Sequence, residues 1–359
     1  MPEIIPLPGR VFQEAPGFGD HLRYELGAWD AVWGDLYYAE ERKDGADAAI
    51  PDSADTGGEG RKAVFWTRNV WLEPFRLEFD SISEAASALR SIQRNWAPSL
   101  FTQFRRGALI AEKLPPLPRK RRPFPWLLPE QPMGSWTLLD AHTLAASAVC
   151  ASPFPAGVIQ FLEDREGPPS RAYLKLWEAL TRIRKWPGPG ERCLDAGASP
   201  GGWTWALAKL GAAVIAVDRV PPEERVLSMT GEQGRPLVNF IKHDAFTLRP
   251  EDTGPMDWVF CDVICYPSRL YAWIERWLAS GLCGNFVCTI KMQAADGVSS
   301  VDYGGIDTAR NFAAISGSSV THLWHNKHEL TWILVNRRIR GCVQNALLDF
   351  RATALSLRE

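Results

Sequence analysis

The sequence predicts an α/β protein: an open parallel sheet with crossover helices in its second part, preceded by a smaller α/β unit. Three observations carry this. From Ser170 onward, short apolar runs alternate with segments of helical period, the pattern of repeated strand–helix–strand crossovers. One crossover, Leu194-Asp195-Ala196-Gly197-Ala198-Ser199-Pro200-Gly201-Gly202-Trp203, runs from an apolar strand through a glycine-rich turn into a helix. The apolar stretch after it closes on Asp218, roughly 20 residues further on, the spacing at which an acid meets the ribose hydroxyls of a nucleotide-like ligand.

In chain order, residues 17–27 read as a helix, and Ala31–Tyr38 and Ala63–Leu72 as strands. Residues 40–62, rich in Asp, Gly and Ala, have the composition of a loop. Ser81 to Ile92 has the helical apolar period, with Ser81 placed to cap it and Glu84 three positions later. Leu114 to Pro132 is dense in proline and basic, hence extended, and Trp136–Leu139 and Gly157–Phe161 are further strand candidates. Beyond it, the expected order is helix Arg171–Arg182, strand Cys193–Ala196, helix Trp203–Leu210, strand Ala213–Val217, strand Val238–Lys242, strand Trp258–Cys261, helix Arg269–Ala279, strand Asn285–Lys291 and helix Thr308–Ile315. Strands Val320–Trp324 and Glu329–Val335 follow closely enough to pair antiparallel.

With 359 residues the chain has room for about two domains. Its 46% hydrophobic and 23% charged content is that of an ordinary globular protein, and no run approaches the roughly 18 apolar residues of a membrane span. The start carries no basic-then-apolar signal, and seven cysteines without a C-x-x-C spacing point to reduced thiols in the cytoplasm. A net charge of −2 means that nucleic-acid binding would need a confined basic surface. Arg105, Arg106, Lys113, Arg119, Lys120, Arg121 and Arg122, interleaved with Phe124 and Trp126, form the candidate.

The glycine turn has two look-alikes. A dinucleotide fingerprint wants a glycine where Ser199 stands. The serine-hydrolase elbow matches Gly197-Ala198-Ser199-Pro200-Gly201 literally, but needs an N–H from the residue after the serine, and Pro200 has none. The remaining reading is a pocket for S-adenosylmethionine (SAM). Asp218, Asp244, Asp262 and Lys291 all fall at strand ends, on the edge where open α/β sheets place their sites. A lysine ending the apolar run Phe286-Val287-Cys288-Thr289-Ile290 is the most telling, since buried lysine is rare without a partner or a function. His322, His325 and His328 lack further ligands for a metal and read as a solvated turn near an anionic substrate; no metal is expected.

Ser170-Arg171-Ala172-Tyr173-Leu174-Lys175-Leu176, Asp195–Trp203, Cys261-Asp262-Val263, Thr289-Ile290-Lys291-Met292 and His328-Glu329-Leu330-Thr331 follow the order seen in FtsJ-type RNA ribose 2′-O-methyltransferases. The chain resembles that family over residues 168–336, and within it the RlmM type, which methylates a cytidine ribose of large-subunit ribosomal RNA. The resemblance implies a Rossmann-like class I methyltransferase domain over 168–338, with Lys175, Asp262, Lys291 and Glu329 as the catalytic tetrad. It also implies SAM held by Gly197, Ser199, Pro200, Gly201, Gly202, Trp203, Asp218, Asp244 and Asp262, and RNA as partner. Residues 1–150 resemble the family's RNA-recognition region, of THUMP type, only loosely, and 339–359 read as a helical extension through Val343, Leu347, Leu348 and Phe350. Methyltransferases of transfer RNA or mRNA caps, and an idle RNA-binding protein on the same fold, are the rival readings. For the chemistry, Lys291 would serve as base if burial or the Lys175 cation lowers its pKa, whereas Asp262 and Glu329 pull it upward.

Overall fold

A computed structural model of the chain describes residues 2–40, 63–117, 121–293 and 301–335. Among the described residues the strands build three sheets. The first unit comprises β1 (Ile4–Pro6), β2 (Arg10–Glu14), α1 (Gly19–Leu26), β3 (Ala31–Trp33), β4 (Leu36–Ala39), β5 (Thr67–Trp71), β6 (Pro74–Glu78), α2 (Ile82–Ile92), β7 (Trp96–Pro98), α3 (Phe104–Glu112), β8 (Gly134–Leu138) and β9 (Thr143–Ser147). It holds two sheets: a four-stranded antiparallel sheet in the order β3-β4-β2-β5, and a five-stranded sheet in the order β1-β6-β9-β8-β7.

The expected strand Ala31–Tyr38 is a hairpin. It breaks at Gly34, whose φ of +67° only glycine adopts readily and whose missing Cβ would lie 2.4 Å from Phe101 Cβ. Helix α2 begins as expected: Ser81 Oγ accepts the Glu84 N–H at 3.2 Å, and the Glu84 carboxylate reaches back to the Asp80 N–H at 2.9 Å. With α3 it covers the five-stranded sheet over a core of Leu77, Leu89, Trp96, Ile110 and Trp136. The expected strand Gly157–Phe161 does not form; a single 3₁₀ turn, Pro155–Gly157, stands there, and Phe161 only bridges Arg122. The proline-rich stretch is extended yet docked: Phe124 stacks on Trp177 at 4.9 Å, and the Arg122 guanidinium lies 4.7 Å over Trp126. Arg119 and Lys120, most of the 40–62 loop and the 339–359 extension lie outside the described residues.

The second unit comprises α4 (Tyr173–Arg182), β10 (Arg192–Ala196), α5 (Gly202–Lys209), β11 (Ala213–Asp218), α6 (Glu224–Leu227), β12 (Val238–Lys242), α7 (Pro250–Thr253), β13 (Trp258–Cys261), α8 (Pro267–Ser280), β14 (Asn285–Lys291), α9 (Tyr303–Ala313), β15 (Ser318–Thr321) and β16 (Glu329–Val335). Its seven strands lie in the order β12-β11-β10-β13-β14-β16-β15. The first five run parallel, and β16 is antiparallel to both neighbours. This is the Rossmann-like α/β sheet that the strand–helix alternation predicts. Helix α9 starts five residues before the apolar period suggests because Asp302 caps it, accepting the Gly305 N–H.

The two units share a core. Phe18 stacks on Trp66 at 4.5 Å, and both rings meet His322, at 5.1 and 5.2 Å. The ring nitrogens Nε2 of His21 and His328 stand 3.2 Å apart. His322 is therefore buried and His328 half-buried against Phe18, His21 and Trp66, while His325 pairs with Glu178 of α4, so these side chains are not solvated as their polarity suggested. Burial holds the His322 imidazole down to about 4.

Candidate active site

The parallel strands bring their carboxyl ends to one edge, and the antiparallel β16 begins where β14 ends. Lys291, last in β14, is therefore the direct cross-strand partner of Glu329, first in β16. Asp262 follows β13 immediately. The fourth group comes from α4, which is buried continuously from Tyr173 to Thr181 and presents Lys175 from its first turn. Lys175 Nζ donates to Asp262 at 3.0 and 2.8 Å and to Glu329 at 2.8 Å. Lys291 Nζ donates to Asp262 at 2.6 Å and to the other oxygen of Glu329.

The result is a closed ring of alternating charge, two ammoniums and two carboxylates, whose side chains are only 8–15% exposed. Such a ring is tolerable in low dielectric because it sums to zero and every charge is hydrogen-bonded. Burial pushes the Asp262 carboxyl up, but Lys175 and Lys291 outweigh this and hold it below the usual carboxylate range. For Lys291, burial disfavours the charge, yet Asp262 and Glu329 outweigh it and lift the ammonium above the ordinary lysine value. The lowered Lys291 pKa that the base role requires is thus not present in the resting ring; the pull of the carboxylates wins.

Two residues that sequence reasoning passed over hold the ring. Thr289 Oγ1 donates to Asp262 at 2.6 Å. It lies two residues before Lys291, on the same face of β14, which is the signal that could have found it. Glu178, one turn along α4 from Lys175, is fully buried and accepts from Arg182, from the backbone N–H groups of Trp324 and His325, and pairs with His325 Nδ1 at 2.8 Å. It ties the helix carrying Lys175 to the turn that leads into Glu329. An acid inside an otherwise buried helical stretch was its visible mark.

The glycine turn lies beside the ring. Gly197, at φ +84°, has no room for a Cβ, which would stand 2.3 Å from Val263 Cγ2. Gly201, at φ +118°, opens α5, and a Cβ on Gly202 would meet Ser170 Oγ at 2.4 Å. Asp218 fastens this turn: one oxygen accepts the Ser199 N–H at 3.0 Å, the other the Val220 N–H at 3.1 Å. The Pro200 carbonyl accepts the Glu223 N–H at 3.0 Å. Trp203 is buried, and its indole N–H donates to the Ala172 carbonyl at 2.9 Å, anchoring α5 to the start of α4. Asp244, beyond β12, accepts the Phe246 N–H on one oxygen, while the other meets the guanidiniums of Arg219 and Arg269.

These residues fit SAM. The glycine turn leads into the N-terminus of α5, and its missing Cβ atoms let Val263 and Ser170 pack close against it. Beneath it, Asp195 is fully buried at the end of β10; Oδ2 accepts from Thr204 at 2.6 Å, while Oδ1 has no partner among the described residues. Burial pushes this carboxyl up to about 7. An unpaired carboxylate acceptor two residues before the glycine turn suits a ligand with an ammonium group. Among the described residues no His, Cys, Asp and Glu cluster is arranged for a metal, and no helix is long and apolar enough to cross a membrane.

Comparison with known proteins bears on the same stretch. Residues 168–303 match the model of the FtsJ-like methyltransferase family. Curated relatives are named ribosomal RNA large subunit methyltransferase M. The protein from Azoarcus sp. is 31% identical over 197 residues, 53% of this chain and 51% of its own length. That from Thauera aminoaromatica is 31% identical over 216 residues, 55% and 57%. That from Xanthomonas oryzae pv. oryzae is 33% identical over 219 residues, 58% and 57%. The chain thus spans about half the length of the curated relatives it matches. Its likeness to the FtsJ-like methyltransferase family covers residues 168–303.

Proposed function

We propose that this protein transfers a methyl group from SAM to a ribose 2′-hydroxyl in RNA, with a cytidine of large-subunit ribosomal RNA as the acceptor and the cytoplasm as its place of work. The observation that carries the reading is the closed Lys175–Asp262–Lys291–Glu329 ring at the sheet edge, beside a glycine-lined cradle. A ribose hydroxyl is a weak acid and poor nucleophile, so the site must position its oxygen and take its proton as the new bond forms. SAM, when bound, supplies the electrophilic methyl on a sulfonium. The turn from Gly197 to Gly202 would meet it through backbone N–H groups. Asp195 and the N-terminus of α5 serve its methionyl end, and Asp218 and Asp244 its nucleoside end.

Lys291 stands nearest the place for the hydroxyl, at the end of β14. In the resting ring its ammonium is held by two carboxylates, so it first acts as a donor that orients the hydroxyl oxygen. To accept the proton it must first release its own to water, and the positive charge of SAM, when bound, would favour that release. Lys175 keeps Asp262 and Glu329 neutralised throughout, so that neither drifts from its place. Thr289 fixes the Asp262 carboxylate. The matched relatives' name supports ribosomal RNA over transfer RNA or caps. The test is transfer of labelled methyl from SAM to unmodified ribosomal RNA, with the product nucleoside identified after hydrolysis. A 2′-O-methylcytidine in the large-subunit RNA is the expected product; methylation on a base would overturn the reading.

A further inference from the structure

The loop that follows Asp262 alternates. Val263 and Cys265 turn inward onto the core, whereas Ile264 and Tyr266 turn out, 82% and 68% exposed. Val263 is pinned where Gly197 leaves space for it, so the outward pair is presented from a fixed frame. Tyr266 caps α8, and its carbonyl accepts the Arg269 N–H at 3.0 Å. The Arg269 guanidinium, half exposed, lies 4.6 Å over Phe246 and reaches Asp244. Two large side chains, two and four residues beyond a ring carboxylate, thus stand in water, with Arg269 following in the first turn of α8.

We propose that Ile264 and Tyr266 form the platform on which the unpaired base of the target nucleotide lies, with Arg269 meeting the adjoining phosphate. This rests on the RNA methyl-transfer reading and deepens it. A 2′-hydroxyl can enter a buried ring only if its nucleotide is splayed from its neighbours, and a splayed base needs an apolar or aromatic surface to replace its lost stacking. Four residues of extended chain span at most about 14 Å, so Tyr266 is tethered within reach of a nucleotide whose ribose is at Asp262. The platform reads no base edge; it stabilises substrate and transition state alike, so its loss falls on KM and not on kcat.

The experiment uses the full chain, labelled SAM and in vitro transcribed large-subunit ribosomal RNA. Tyr266→Ala is expected to raise KM for RNA about tenfold with kcat within about twofold of wild type. Tyr266→Phe, which keeps the ring, is expected to recover most of that loss, and the SAM dissociation constant of Tyr266→Ala is expected to stay that of wild type. An active wild type with Tyr266→Ala unchanged in KM overturns the platform alone. So does a Tyr266→Ala protein that has lost SAM affinity, since the ring would then serve the cofactor site. A wild type that transfers no methyl to the RNA overturns the reading beneath it.

Discussion

Replacing Lys175 by Met tests whether the ring is held by charge balance. The substitution keeps the aliphatic stem and removes three charge-assisted hydrogen bonds of 3.0, 2.8 and 2.8 Å. Two carboxylates are left sharing one ammonium in a site whose side chains are nearly closed to water. Stranding a buried charge in this way costs about 3–5 kcal/mol. Removing the surplus charge as well, with Glu329→Gln, should return much of it, leaving the double variant about 1–2 kcal/mol below wild type. The deficit of the single variant should also narrow on acidification. Without Lys175 the remaining acids take up a proton more readily folded than unfolded, so the folded state gains as pH falls. Urea unfolding followed by tryptophan fluorescence near neutral pH and near pH ~5 reads all three values, provided the m-values agree. A Lys175→Met protein less than about 1 kcal/mol below wild type, or a double variant no more stable than the single, would refute the charge-balance argument.

Four further outcomes are expected. Lys291→Ala should abolish methyl transfer in single-turnover assays and leave SAM affinity by calorimetry within about twofold, because its role belongs to the transition state. Asp218→Ala should weaken SAM binding by about 1.5–3 kcal/mol, since it loses both a charged acceptor and the fastening of the Ser199 turn. Replacing Arg119, Lys120, Arg121 and Arg122 with Gln should weaken RNA binding, flatten the fall of log affinity with log salt and spare SAM binding, checked by filter binding across a salt series. His322 is kept neutral in the fold to about pH 4, while the unfolded chain takes up that proton below about 6.5. His322 should therefore contribute a loss of about 1.4 kcal/mol per pH unit as pH falls across that window, and His322→Gln should subtract that contribution from the wild-type slope in urea titrations.

The second unit was legible because its buried strands are continuous apolar runs ended by charge. Asp218, Asp262 and Lys291 stood out where the run stopped, and Glu329 entered through the likeness of its flanking sequence. The first unit was less so. Its strands are three to five residues long, too short for period to separate them from turns, and β5 and β6 are parted only by Leu72 and Glu73. Glu178 was passed over and the histidine turn was read as solvated because their burial and partners come from segments far away in sequence: Trp324 and His325 for Glu178, Phe18 and Trp66 for His322. The direction of the Lys291 shift needed the distances themselves, because the neighbouring cation and the two carboxylates act in opposite senses.

The strand order carries a timing. Lys175 and Glu329 meet across 154 positions of sequence, and β16, after β15 in the chain, slots between β14 and β15. A polypeptide growing on the ribosome can lay down the cradle for SAM and three of the four ring residues while its sheet still lacks the strand that closes the circuit. Until β16 emerges, Lys175, Asp262 and Lys291 carry a surplus positive charge with no second carboxylate to settle it. The ring of four charges is therefore completed only after synthesis has passed residue 329.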